Sequence, residues 1–348
     1  MGVSFGSIGR LAMYVTLIAH AKCKEHRHRK AEFARLVPRV LVSIGGTVVT
    51  LGEYRDLIHL DDPFPLPTKD ARTGRDLLMT ALSGLPNKRY TGTSSVAHLA
   101  TDESLLRWLD AELTQRDPGP LDPITERAIN SILLRVSGKH GRVEALNLRR
   151  VNDMFPENDY PRAFNTAIYL GDIRQLVVDA VVNSAMPDLT GCRIPLHGCL
   201  DSVIHLQAGP WMRNDGAEIM KVLGHEAETG SAFITRGYRM PARYVIHTVA
   251  PEVGSNLPTQ RDRELLRDCY WNCLELANEK GDISTIAFPA LATGGNGFPF
   301  DIAAKIALQT VDDWMHVHAS QLELVLFSVH NDEDLAHMER VLTTWVNE

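Results

Sequence analysis

The stretch ISTIAFPALATGGNGFPFDIAAKIAL, residues 283–308, decides the reading of the fold. It begins with an unbroken apolar run, TIAF, of the kind that suits a central strand covered on both faces. A loop rich in glycine, ALATGGNGF, follows at 290–298, and a helical pattern starts near Asp301. Strand, glycine loop and helix in immediate succession form one unit of a layered α/β protein. The same alternation spreads outward from it. TAIYL (166–170), VDAVVNSA (178–185), SAFITRG (231–237), RYVIHTVA (243–250) and LELVLFSV (322–329) read as strands. Between and after them SVIHLQAG, WMRNDGAEIMKVL, the long RDRELLRDCYWNCLELANEK closed by Gly281, and DEDLAHMERVLTTWV read as helices. The expected architecture is three-layered, α/β/α, with a mixed central sheet.

Before residue 160 the character differs. Helix-like stretches alternate with proline-rich breaks such as DDPFPLPT and RDPGPLDP. DESLLRWLDAEL carries Leu105, Leu106, Leu109 and Leu113 at helical spacing behind Thr101 and Asp102 as caps. The chain therefore divides on sequence into a mainly helical extension, residues 1–160, without visible chemistry, and an α/β domain over 161–348. VLVSIGGTVVTLG (40–52) reads equally as a strand pair or as an apolar helix broken by Gly45 and Gly46.

The 348 residues include 44% hydrophobic and 23% charged side chains, enough to bury a substantial core. A net charge of -7 argues against broad capture of nucleic acid, and no specific nucleic acid is expected. Five cysteines at irregular spacing do not form a secreted disulfide framework, which places the protein in a reducing, intracellular compartment, the cytoplasm first. The apolar run LAMYVTLIA is too short to span a bilayer, so no membrane is expected. An acid-free basic start also fits a mitochondrial transit peptide, the competing reading to an amphipathic helix.

Two cysteines and two histidines crowd TGCRIPLHGCLDSVIH, residues 190–205. Cys192, His197 and Cys199 offer the thiolate and imidazole ligands that zinc favours, on a segment with no regular periodicity. Cys269 and Cys273, by contrast, fall on the apolar stripe of a helix and read as core. Three ligands leave a zinc site open for chemistry; His205 as a fourth would close it, and its other reading is core or support. Asp201 reads either as a helix N-cap or as a group that orients or deprotonates water. Asp172, after the first strand, suits an amine on a base, and Asn183, ending the next, suits a sugar hydroxyl. Thr293, Gly294, Gly295, Asn296, Gly297 and Phe298 suit a phosphate cradle before a helix start, though a plain connector looks the same. Together these point to a nucleotide diphosphate sugar.

The segments YLGDIRQLVVDAVVNSA, GSAFITRGYRMPARYVIHTVAP and IAFPALATGGNGFPFDIAAKIAL resemble the macrodomain, the fold that binds ADP-ribose. GCRIPLHGCLDSVIH resembles its zinc-dependent branch of protein-ADP-ribose hydrolases. The resemblance spans about residues 165–345. It implies that Asp172 holds the adenine amine, that Ile173 gives its backbone N–H, and that Asn183 faces the distal ribose. It implies zinc on Cys192, His197 and Cys199, one per chain, and a diphosphate and distal ribose wrapped by 293–298; Asn183, and Asp201 by its position two residues past the last ligand, are the expected catalytic groups. A monomer acting on mono-ADP-ribosylated protein and binding ADP-ribose is expected; the alternative is a non-catalytic ADP-ribose reader with a structural zinc. The family's second Asn is replaced here by Met186.

Overall fold

A computed structural model describes residues 49–65, 70–85, 99–319 and 321–345. The chain separates into two compact units, Met1–Val48 and Val49–Glu348, and every described residue lies in the second. The basic start, Cys23 and most of VLVSIGGTVVTLG lie outside the described residues.

Among the described residues, three helices longer than ten residues precede the main sheet in sequence: α1 (Gly74–Gly84), α2 (Asp102–Gln115) and α3 (Pro123–Ser137). Each starts on an oxygen side chain that satisfies orphan N–H groups: Thr73 with Asp76 in a capping box, Thr101 on Ser104, and Asp122 on Ile124 and Thr125. Asp102 sits one residue inside α2, where its charge favours the helix start. Leu77, Leu105, Leu109 and Ile129 pack together as a fully buried cluster between the three.

The strands are β1 (Val143–Glu144), β2 (Thr166–Leu170), β3 (Leu176–Val177), β4 (Ala180–Ser184), β5 (Ala232–Arg236), β6 (Tyr244–Thr248), β7 (Thr285–Pro289) and β8 (Leu324–Val329). The main sheet runs β2-β8-β7-β4-β6-β5, parallel throughout except for β5, which pairs antiparallel with β6. The longer helices that follow α3 among the described residues are α4 (Leu200–Ala208), α5 (Pro210–Leu223), α6 (Gln260–Lys280), α7 (Phe300–Val317) and α8 (Asp332–Thr343). Strand neighbours alternate between two cores. Val182, Ile246, Ile286 and Phe327 face the core lined by α6 and α7, whereas Val181, Val245, Ala287 and Leu326 face the one lined by Ile204, Ala208 and Met212. Burial on both faces is why these strands carry apolar residues at consecutive positions.

Residues before 160 also reach the sheet. Leu51, Tyr54, Ile58 and Leu60 join the larger core. The Tyr54 hydroxyl accepts the N–H of Ile234, on edge strand β5, at 3.1 Å. A covered edge leaves no row of free donors for another strand.

Asp179, leading into β4, ties it to β7. Its Oδ2 accepts N–H groups of Ser284 and Thr285 at 2.8 and 2.9 Å and the Ser284 hydroxyl at 2.8 Å. Burial alone would raise this carboxyl; the Ser284 and Thr285 hydrogen bonds outweigh it and leave it below the ordinary carboxylate range. A depressed folded-state value means stabilisation that is complete above the unfolded-state value and lost as pH falls through the folded one. Asp179→Ala is expected to cost about 2 kcal/mol at pH 7 in urea unfolding, with the gap to wild type closing in acid.

Candidate functional site

The parallel strands β2, β4 and β7 end on the same edge of the sheet, the edge where open α/β sheets hold ligands. Asp172 follows Gly171 just past β2 and caps the turn Ile173–Gln175 by accepting the Arg174 N–H at 2.9 Å. The Arg174 guanidinium also reaches both carboxylate oxygens, Nη2 at 2.6 Å from Oδ2. Burial pushes the Asp172 carboxyl up, and the Arg174 contacts more than reverse it. The side chain is thus committed to the turn and to Arg174, and it is half-shielded beside the buried Ile173.

Asn183, near the end of β4, is fully buried. Its Nδ2 donates to Asp201 Oδ1 at 2.7 Å and lies 3.2 Å from His247 Nδ1. On the far side of the ring, His247 Nε2 is 3.0 Å from Thr235 Oγ1, whose hydroxyl donates to the Arg236 carbonyl at 3.2 Å. Asn183 Oδ1 and Asp201 Oδ2 are buried without a partner among the described residues. Burial drives His247 and His205 down to about 3, so both imidazoles are neutral, and it raises the Asp201 carboxyl against its Asn183 hydrogen bond. Asp201 is not the N-cap of α4. Cys199 holds that position, and Asp201 lies within the first turn with its side chain committed to Asn183.

Cys199 at the start of α4 also positions the cysteine–histidine loop. Leu189, Gly191 and Leu196 adopt positive φ of 53°, 82° and 58°, which folds residues 189–197 tightly. At Gly191 a side chain is excluded: a Cβ there would sit 2.7 Å from the His205 ring. Cys192 Sγ lies 3.3 Å from His197 Nδ1, and the ligand atoms of Cys192, His197 and Cys199 all fall within 4.8 Å of one another. They are the one such cluster of potential ligands among the described residues, and two sulfurs with one nitrogen fit zinc. His205 is not part of it; its Nε2 is 3.4 Å from Asp201 Oδ1 instead. Burial, and then the neighbouring Cys192 thiol, push the Cys199 thiol up to about 11, the cost a bound cation would offset.

A buried arginine anchors this loop. Arg213 on α5 donates from Nε to the Thr190 carbonyl at 2.6 Å, and from Nη1 to the carbonyls of Leu113, Thr114 and Arg116 at 2.6, 2.8 and 2.9 Å. It therefore caps the C-terminus of α2 and pins the first residue of the ligand loop with one planar cation. Burial lowers it only to about 10, so it stays charged at neutral pH. Arg213→Met is expected to orphan these carbonyls and lower urea stability by about 3 kcal/mol.

The glycine loop is built on its own backbone. Phe298 N–H bonds the Ala292 carbonyl and Gly297 N–H the Gly294 carbonyl, both at 2.9 Å. Asn296 staples it to the neighbouring segment, its Nδ2 on the carbonyls of Ala250 and Pro251 and its own carbonyl on the N–H groups of Val253 and Gly254. Gly294 and Gly295 remain exposed with open space around them, Thr293 is half-buried, and Phe298 is buried beneath. Asn183 and Asp201 are directly bonded, and the three metal-type ligands cluster. Thr235, His247 and Arg213 were not singled out from the sequence. Their signal is faint: single polar groups in otherwise apolar strands, and one arginine in an amphipathic helix.

Residues 182–307 match the family described as Macro domain, and the α/β part of this chain is a macrodomain fold with a mixed sheet. Similar proteins include a protein-ADP-ribose hydrolase of Treponema medium, 42% identical over 176 residues, covering 51% of this chain and 66% of that protein. Another is a protein-ADP-ribose hydrolase of Staphylococcus aureus (strain MRSA252), 41% identical over 171 residues, covering 49% of this chain and 64% of that protein. The chain thus spans just under two thirds of the length of these relatives. A crystal structure of the Trypanosoma brucei macrodomain in complex with ADP-ribose is 31% identical, with a TM-score of 0.47, covering 57% of this chain and 76% of that one.

Proposed function

We propose that this protein is a zinc-dependent hydrolase that releases mono-ADP-ribose from modified protein side chains. The observation that carries the reading is the convergence of Cys192, His197 and Cys199 immediately before the helix whose Asp201 bonds Asn183. Relatives named protein-ADP-ribose hydrolase support the same class of reaction.

The bond to be broken joins the anomeric carbon of the distal ribose to a side-chain atom. Water adds its oxygen to that carbon, and the side chain leaves with a proton. Zinc on the three ligands would supply Lewis-acid polarisation of a sugar or water oxygen. Asp201, its carboxyl raised by burial, would take the proton from water, with the Asn183 hydrogen bond fixing its orientation. Asp172 and the Ile173 N–H would hold the base. The N–H groups of Gly294, Gly295 and Asn296, which the loop's own backbone bonds do not use, would take the diphosphate, leaving the distal ribose beside Asn183. Free ADP-ribose is the product, and an intracellular site of action belongs to the same reading.

A second reading, an ADP-ribose reader with a structural zinc, draws on Met186, which is half-exposed where the family carries an amide. Incubation with mono-ADP-ribosylated protein separates the two. Release of ADP-ribose supports the hydrolase. Tight ADP-ribose binding without release supports the reader, and Met186→Asn is then the first change to make.

A further inference from the structure

The hydrogen bonds behind Asn183 run in one direction only, and that direction is set two strands away. A backbone carbonyl can only accept, so the Arg236 carbonyl takes the single hydrogen of the Thr235 hydroxyl. Thr235 Oγ1 is then an acceptor toward His247, which places the ring proton on Nε2. The neutral ring's Nδ1 must therefore accept, and the group facing it is Asn183 Nδ2. The second hydrogen of that amide goes to Asp201 Oδ1. Thr235 and Asn183 are 0% exposed and His247 is 1% exposed, so no solvent competes along the chain. A flipped amide would set Oδ1 against the His247 Nδ1 lone pair, and the ring cannot relieve that clash without giving up its hydrogen bond to Thr235.

We infer that Thr235 and His247 are positioning residues that lock the Asn183 amide, leaving its unpartnered Oδ1 as a pure acceptor for a hydroxyl of the distal sugar. The inference rests on the ADP-ribose reading of the site and adds a specificity rule to it: the bound sugar must donate there. A ligand lacking that hydroxyl gains nothing from Asn183 and leaves a buried acceptor unpaired.

Thr235→Val keeps the shape and removes the relay's hydroxyl. The His247 proton is then free to move to Nδ1, which favours the flipped amide. ADP-ribose affinity is expected to fall about tenfold by calorimetry, while affinity for ADP, which lacks the distal ribose, stays within about twofold. Thr235→Ser restores the hydroxyl and should restore ADP-ribose binding. In protein with 15N-labelled histidine, the His247 ring is expected as the Nε2–H form in wild type and to shift toward Nδ1–H in Thr235→Val. A wild-type ring protonated on Nδ1, or Thr235→Val affecting ADP-ribose and ADP alike or neither, would overturn the lock. Wild-type protein that binds neither nucleotide would overturn the ADP-ribose reading itself and, with it, the sugar rule. The ring tautomer reads out the relay separately from that failure.

Discussion

Cys199→Ala is expected to lower ADP-ribose release at least about 100-fold and to leave the purified protein without stoichiometric metal. Cys199 contributes one of two sulfurs to the cluster and is also the N-cap of α4, the helix that carries Asp201. Its backbone already has the extended cap conformation, φ −70° and ψ 159°, which alanine adopts equally well, so the helix start is kept. The sulfur is what alanine removes. The remaining Cys192 and His197 form a two-ligand site, too weak to compete with a mild chelator. ADP-ribose binding, which draws on Asp172 and the glycine loop, is expected to change by no more than about threefold. A rate loss with retained nucleotide binding is the signature of a group acting on the reacting bond rather than on the whole ligand.

Gly297→Val is expected to abolish the other half of the site. Gly297 has φ of +76°, a conformation that a β-branched residue rarely adopts. A Cβ there would lie 2.0 Å from the Gly254 carbonyl oxygen, which is backbone and cannot swing aside. Relief requires separating the glycine loop from residues 253–254, which breaks the Asn296 hydrogen bonds that hold the two segments together. The expected result is ADP-ribose affinity reduced at least about 100-fold by calorimetry, with a stability loss of about 2 kcal/mol or more from strain. Zinc content should stay at wild-type level, because the ligand loop at 189–199 is built separately. The two variants therefore fail in opposite ways, one on metal and rate, the other on nucleotide.

Much of this architecture is legible in the sequence because it is local. TIAF and LVLF announce two-sided strands, Gly281 ends α6 with φ of +85°, and Thr101 opens α2 on Ser104. The C-x4-H-x-C spacing is local too, and the three side chains do meet. What the sequence conceals is register across strands. Asn183 and His247 are 64 residues apart, and they meet because β4 and β6 align them as direct partners. Thr235 reaches the same ring from β5, whose antiparallel pairing sets Phe233 opposite His247, so the contact is diagonal. Asp201 illustrates a finer limit. Asp is a favoured N-cap residue, but the helix begins two residues earlier than the motif suggests, and the carboxylate is released for Asn183. Residues before 160 hide their role for the same reason: Arg213 couples α2 to the ligand loop through backbone carbonyls, which leave no mark in side-chain patterns.

The most direct test of the central claim is the rate of ADP-ribose release from mono-ADP-ribosylated protein, measured before and after chelation, alongside metal content. The expected result is about one zinc per chain, loss of release on chelation with ADP-ribose binding retained, and recovery of the rate when zinc is returned. Release that continues at full rate in metal-free protein would contradict it.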